Sequence, residues 1–239
     1  MKIKICGMRD AENIAAIASL PIDFMGFIFY EKSARYVDTE PTVFSEYSRF
    51  KNIKKVGVFV NENIHNIITK VVDYQLDIVQ LHGSETNDFI CDLKNKIPTI
   101  SVFKAIAIAE ESDFEKTKFY PAADFLLLDT KTPLHGGSGQ KFDWSLLEKN
   151  PIEQLFFLSG GIGFEDVENI KNLNIKNLYG IDLNSKFEIS PALKNVELLK
   201  EFIIALSPSS RRDACGLNPT QNGRTSRCRS NPIVLLVKN

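Results

Sequence analysis

Apolar and polar positions along this chain fall into short repeated units. A run of four to eight mostly apolar residues ends in a turn. It is followed by a stretch whose apolar residues recur at three- and four-residue intervals. The first run, Lys2-Ile3-Lys4-Ile5, alternates isoleucine with lysine and is closed by Cys6-Gly7. Asp10 stands where it can cap a helix over residues 10–20, with Ile14, Ile17 and Ala18 on one face and Pro21 as the stop. The same reading places strands at residues 23–30, 55–60, 77–81, 99–105, 123–128, 155–158 and 177–181. Helices are predicted between them. One over 41–50 is opened by Thr39 or Glu40, and one from a cap at Asn61 runs to about Tyr74 with Ile64, Ile67, Ile68, Val71 and Val72 inward. Another runs from a cap at Ser84 to about Asn95, and further helices lie at 110–119, 143–149, 164–173 and 191–206.

Eight strands of nearly continuous apolar character, each followed by a helix, fit a parallel sheet buried on both faces. Eight such units in about 206 residues predict a single-domain α/β protein, a (β/α)8 TIM barrel. An open doubly wound sheet is the competing arrangement, but no Gly-x-Gly-x-x-Gly turn follows the first strand.

Length and composition fit one large globular domain: 239 residues, 44% hydrophobic and 25% charged. No apolar run approaches the roughly 18 residues of a membrane span, and Met1-Lys2-Ile3 leads directly into the first strand. A cytoplasmic protein with no membrane partner is expected. Cys6, Cys91, Cys215 and Cys228 lack metal-ligand spacing, and His65, His82 and His135 are scattered, so no metal is expected.

Charge divides the chain. Residues 1–206 carry a net charge of −6 and residues 207–239 a net of +5. The acidic body shows no nucleic-acid face. The tail is rich in Ser, Arg and Asn without periodicity before Ile233. It reads either as a basic arm or, preferably, as a disordered appendage outside the fold, with translated cloning sequence as one origin.

In a barrel, reactive groups gather at the C-terminal ends of the strands. That filter selects Cys6, Arg35, His82, Asp129, the glycines after the sixth strand (among them Gly137 and Gly139), Gly160, Gly161, Asn184 and Ser185. The turns after the seventh and eighth strands form the usual phosphate site of such barrels, where glycine lets backbone N–H groups approach phosphate oxygens. Asp129 follows four apolar residues, and a partly desolvated carboxyl there can hold a proton for general acid catalysis. Arg35 presents a planar fork that suits a carboxylate, or it is a solvated loop residue. His82 either hydrogen-bonds a substrate or caps its strand.

Several segments occur in a telling order: Lys4-Ile5-Cys6-Gly7-Met8, Lys32-Ser33-Ala34-Arg35-Tyr36-Val37, Gln80-Leu81-His82-Gly83, Leu127-Leu128-Asp129-Thr130, the run from Gly136 to Trp144, and Ser159-Gly160-Gly161-Ile162. Over residues 1–206 the set resembles the phosphoribosylanthranilate isomerases of tryptophan biosynthesis. Two positions depart from that family. Leu183-Asn184-Ser185-Lys186 replaces a turn like Val-Ser-Ser-Gly, and Ala34 replaces a proline.

The resemblance implies an Amadori rearrangement of a phosphoribosylated anthranilate, a small phosphosugar substrate, with no cofactor. It also implies Asp129 as the acid for ring opening, Cys6 as the base at C2′, and Arg35 on the anthranilate carboxylate. Whether such a barrel is a monomer or a homodimer is left open by its outer helix faces. Two readings compete. The histidine-pathway isomerase is expected to use paired aspartates, which Cys6 argues against. A non-catalytic phosphosugar-binding barrel has no need of Cys6 and Asp129.

Overall fold

The computed structural model describes residues 1–38, 52–131 and 141–207. Its strands are β1 (Lys2–Ile5), β2 (Phe24–Ile28), β3 (Lys54–Phe59), β4 (Ile78–Leu81), β5 (Ser101–Ile108), β6 (Phe125–Thr130), β7 (Phe156–Leu158) and β8 (Leu178–Leu183). Every neighbouring pair is parallel, and β1 pairs with β8, so the sheet closes into an eight-stranded barrel. The expected (β/α)8 architecture is the observed one.

Side-chain alternation divides the core in two. Phe24, Val56, Ile78, Phe103, Leu127 and Phe157 fill the barrel interior. Their rings interlock, with Phe24 edge-on to Phe157 at 5.3 Å and Phe103 5.0 Å from Phe157. Each such pair contributes about 0.5–1.5 kcal/mol beyond area burial. The opposite faces of the strands, including Ile3, Ile5, Phe27, Phe59 and Leu126, pack against the helices.

The outer layer departs from expectation in several places. Helix α1 (Ala11–Ile17) is capped by Asp10, whose side chain accepts from the Asn13 N–H at 2.8 Å. It ends at Ile17 because Pro21 forces the last turn into tighter bonds, Ser19 N–H to Ala16 and Leu20 N–H to Ile17. Ala18 is only half-buried.

Helix α2 (Ile64–Asp73) is capped by Asn63 rather than Asn61. Asn61 adopts a left-handed backbone (φ 52°), and its side-chain oxygen accepts from the Ser84 N–H and hydroxyl at 2.7 and 2.9 Å. That same contact removes Ser84 as a cap, so α3 (Asn87–Lys96) starts from Thr86. On α2, Ile67 and Val71 are buried, Ile64 and Ile68 half-buried, and Val72 exposed.

Glu111–Phe119 is a 3₁₀ helix, held at its start by the Asp113 side chain, which accepts from the Ala109 and Glu110 N–H groups. Shorter helices follow β6 and β7: α4 (Leu146–Lys149) and α5 (Val167–Asn172), the latter entered through a 3₁₀ turn, Phe164–Asp166.

The last helix, α6 (Val196–Leu206), begins later than residue 191. A small antiparallel hairpin, β9 (Glu188–Ser190) and β10 (Leu193–Lys194), takes up the preceding residues. Asn13 fixes it by exchanging two hydrogen bonds with the Lys194 backbone at 2.8 and 2.9 Å. The expected helix over 41–50 and the glycines Gly137 and Gly139 lie outside the described residues. No helix among the described residues is long and apolar enough to cross a membrane.

Candidate active site

One cavity of about 560 Å³ opens at the C-terminal ends of the strands. Cys6, Arg35, His82, Asp129, Gly160, Gly161, Asn184 and Ser185 all line it. Eight residues selected from sequence positions spread over 180 residues therefore share one site.

Cys6 leaves β1 toward the barrel axis, its N–H bonded to the Leu183 carbonyl at 2.9 Å. Gly26 of β2 faces it, and a Cβ there would lie 2.8 Å from the sulfur. The missing side chain makes the room that the thiol occupies. Burial pushes the Cys6 thiol above its ordinary pKa. Lys4 and Lys194 pull it down, while Asp182 adds to the rise. Gly7 then turns the chain with φ +76°, a conformation L side chains rarely adopt, and Arg35 Cδ packs where its Cβ would be.

Asp129 ends β6 almost buried. Its Oδ1 accepts from the Thr130 N–H at 2.9 Å, and its Oδ2 lies 3.3 Å from His82 Nε2. The other ring nitrogen, Nδ1, is 3.0 Å from the Gln80 amide nitrogen. With that amide donating to Nδ1, the His82 proton sits on Nε2, the nitrogen facing the Asp129 carboxyl. The buried Gln80 Oε1 has no partner among the described residues.

Gly160 and Gly161 both have positive φ, 89° and 65°. Gly160 packs directly against Asp129 and Thr130, so the turn after β7 touches the carboxyl. Across the mouth, Asn184 and Ser185 lead into a short 3₁₀ turn, Ser185–Phe187.

Arg35 reaches the cavity from the loop after β2. Its Nε and Nη2 are held by the Glu188 carboxylate of β9 at 2.9 and 2.6 Å. The same carboxylate accepts from the buried Lys194 ammonium at 2.6 Å, which also bonds Asn184 Oδ1 at 2.7 Å. Burial alone would raise the Glu188 pKa, but Arg35 and Lys194 outweigh it and hold the carboxyl below the usual glutamate range.

Comparison with known proteins agrees with this geometry. The family described as PRAI, N-(5′-phosphoribosyl)anthranilate (PRA) isomerase, matches residues 3–205. The N-(5′-phosphoribosyl)anthranilate isomerase of Parabacteroides distasonis is 46% identical over 205 residues, covering 85% of this chain and 92% of that protein. The chain belongs to the phosphoribosylanthranilate isomerase family. Solved structures of this family superpose on the barrel. One from Thermotoga maritima, of generated monomers of a dimeric enzyme, is 31% identical with a TM-score of 0.72. It covers 86% of this chain and 98% of its own. Another, in complex with reduced 1-(o-carboxyphenylamino)-1-deoxyribulose 5-phosphate, is 30% identical with the same TM-score and the same two coverages.

Five polar residues around this isomerase-family site were not singled out from sequence: Lys4, Gln80, Asp182, Glu188 and Lys194. Lys4 and Asp182 form a buried ion pair, Nζ to Oδ1 2.9 Å, inside the barrel beneath Cys6. The signal for Lys4 was present, since residues two apart on a strand share a face. If Cys6 faces the mouth, Lys4 lies below it. Glu188 and Lys194 belong to the hairpin that the helical reading of residues 191–206 concealed.

Proposed function

We propose that this chain catalyses the Amadori rearrangement of N-(5′-phosphoribosyl)anthranilate to 1-(2-carboxyphenylamino)-1-deoxy-D-ribulose 5-phosphate in tryptophan biosynthesis, with Asp129 as general acid and Cys6 as general base. The observation that carries the assignment is the opening of both side chains onto one cavity, together with Arg35 and the glycine turn after β7.

The reaction moves two protons and no electrons overall. Asp129 protonates the furanose oxygen as the C1′–O bond breaks, leaving an open-chain Schiff base of the anthranilate nitrogen. The Cys6 thiolate removes the proton at C2′, and the resulting enolamine tautomerises to the ketone. Each proton transfer by a positioned group typically supplies about 10²–10⁴ in rate. His82 lies against Asp129 and orients the carboxyl toward the ring oxygen. Phosphate binds at Gly160, Gly161, Asn184 and Ser185. Backbone amides carry most of that contact, which suits the acidic body.

Arg35 anchors the anthranilate carboxylate. Glu188 holds its Nε and Nη2 side. A phosphosugar is the only partner this chemistry requires, no nucleic acid takes part, and a cytoplasmic barrel acting as monomer or homodimer satisfies it.

The test is steady-state turnover of phosphoribosylanthranilate generated in place and followed by its fluorescence. Cys6→Ser and Asp129→Asn each lose at least about a hundredfold in kcat while substrate still binds. Near-wild-type turnover in either variant removes that residue's role. Arg35→Ala raises KM, and an unchanged KM would separate Arg35 from the carboxylate.

A further inference from the structure

We propose that the buried Lys4–Asp182 ion pair positions charge for the base, its ammonium held by Asp182 beneath Cys6. The inference rests on the acid–base reading above and adds two positioning residues to it.

The pair sits where a barrel usually holds aliphatic side chains. Lys4 is fully buried and Asp182 nearly so. The layer next to it packs Phe24, Phe103 and Phe157 without any charge. Taking two ions out of water costs several kcal/mol each before their attraction repays it. Packing alone does not ask for a charge here.

The pair also has a direction. Lys4 of β1 and Cys6, the residue just past its end, are two apart and share the inner face, so the ammonium lies under the sulfur and acts on it. Asp182 stands opposite Lys4 in the β1–β8 register, lines the cavity, and interacts with both Asp129 and His82. Groups facing the thiol are thus Lys4 from its own strand, Asp182 from β8, Lys194 from β10 and, beside Gly7, Arg35. From β2 there is only Gly26. Asp129 faces Asp182 and His82.

This arrangement meets a specific difficulty. The working enzyme needs a proton on the carboxyl and none on the thiol. Ordinary carboxyls and thiols prefer the reverse, with pKa values near ~3.9 and ~8.5. Between two such values the productive form is a constant minority, and its share rises tenfold for each pH unit by which the gap narrows. A cation at the sulfur favours thiolate. Lys4, held in place by Asp182, narrows the gap from the thiol end.

The test titrates the thiol directly. In a background with Cys91, Cys215 and Cys228 changed to Ser, the pH dependence of Cys6 alkylation by iodoacetamide is measured beside kcat and KM. Lys4→Gln is expected to move the alkylation midpoint up and Asp182→Asn to move it down, each by about one pH unit. Lys4→Gln lowers kcat by about tenfold with KM within about twofold, whereas Asp182→Asn does not lower it. Opposite shifts of the thiol, with a loss of kcat only where the midpoint rises, are not what a purely structural pair produces. Shifts of the same sign, or folded variants with unchanged midpoint and kcat, overturn the proposal. If Lys4→Gln does not fold, Asp182→Asn decides alone: a lowered midpoint supports the proposal and an unchanged or raised one overturns it. Cys6→Ser is assayed alongside. Wild-type turnover there defeats the acid–base reading itself, whereas an inactive Cys6→Ser with silent Lys4 and Asp182 variants defeats only this inference.

Discussion

Adding one methyl group at Gly26 tests whether the position of the thiol governs catalysis. Its Cβ would lie 2.8 Å from Cys6 Sγ, 3.2 Å from Cys6 Cα and 3.3 Å from Cys6 Cβ. Comfortable contacts between such atoms begin near 3.5 Å. The backbone cannot yield easily, because β1 and β2 are locked in parallel register and the Met8 N–H bonds the Gly26 carbonyl at 2.9 Å. The sulfur is the lightest-held neighbour and moves by roughly 1 Å. A displacement of that size costs about 10² in rate, equivalent to about 2.7 kcal/mol of activation free energy. Overpacking also lowers stability by about 1–3 kcal/mol. Gly26→Ala is therefore expected to lose about a hundredfold in kcat with KM little changed, since Arg35 and the glycine turn after β7 remain in place. The control is Gly57→Ala on β3, whose Cβ would collide with Leu76 and Phe59 away from the cavity. It should destabilise without lowering kcat in the folded protein. A folded Gly26→Ala enzyme with wild-type kcat would refute the claim that Gly26 reserves space for the base.

Other expectations follow from the same contacts. Glu188 holds its carboxyl below its unfolded value, so its contribution is complete above about pH 4.3 and is lost as pH falls through the folded value. Glu188→Gln should flatten that acid limb in thermal melts and, by leaving Lys194 without its anion, cost about 3 kcal/mol at neutral pH. Because burial raises the Cys6 thiol, wild-type alkylation should climb about tenfold per pH unit through pH 8.5; a plateau reached below pH 7.5 would contradict that burial. Deleting residues 208–239 should leave kcat and KM unchanged, and a loss of activity would give the basic tail a function.

Strand ends were readable from the sequence because each is a local change from apolar to polar. Cys6-Gly7, His82-Gly83, Asp129 and Gly160 all sit at such changes, and all reach the cavity except Gly7 and Gly83. Helix starts were harder. Asn61 and Asn63 are equally good caps by residue type, as are Ser84 and Thr86, and the choice is made by the tertiary contact between Asn61 and Ser84. Glu188 was hidden because its partner Arg35 is 153 positions away. Lys4 was hidden for a different reason. Alternation of lysine and isoleucine suggests one wet face, yet in a closed barrel the second face is interior, and there the polar residue is the buried one.

The Lys4–Asp182 contact joins residues 178 positions apart, across the seam where the last strand meets the first. Such a contact is among the most expensive in chain entropy to form and forms late when folding follows sequence separation. On a ribosome, Cys6, Arg35, His82 and Asp129 would all have emerged before the strand bearing Asp182. Until that strand docks, Lys4 lacks its carboxylate partner, and the thiol is missing the Leu183 carbonyl that anchors its backbone. Turnover would then appear only with barrel closure, so that recovery of activity during refolding times the docking of β8 rather than the collapse of the core.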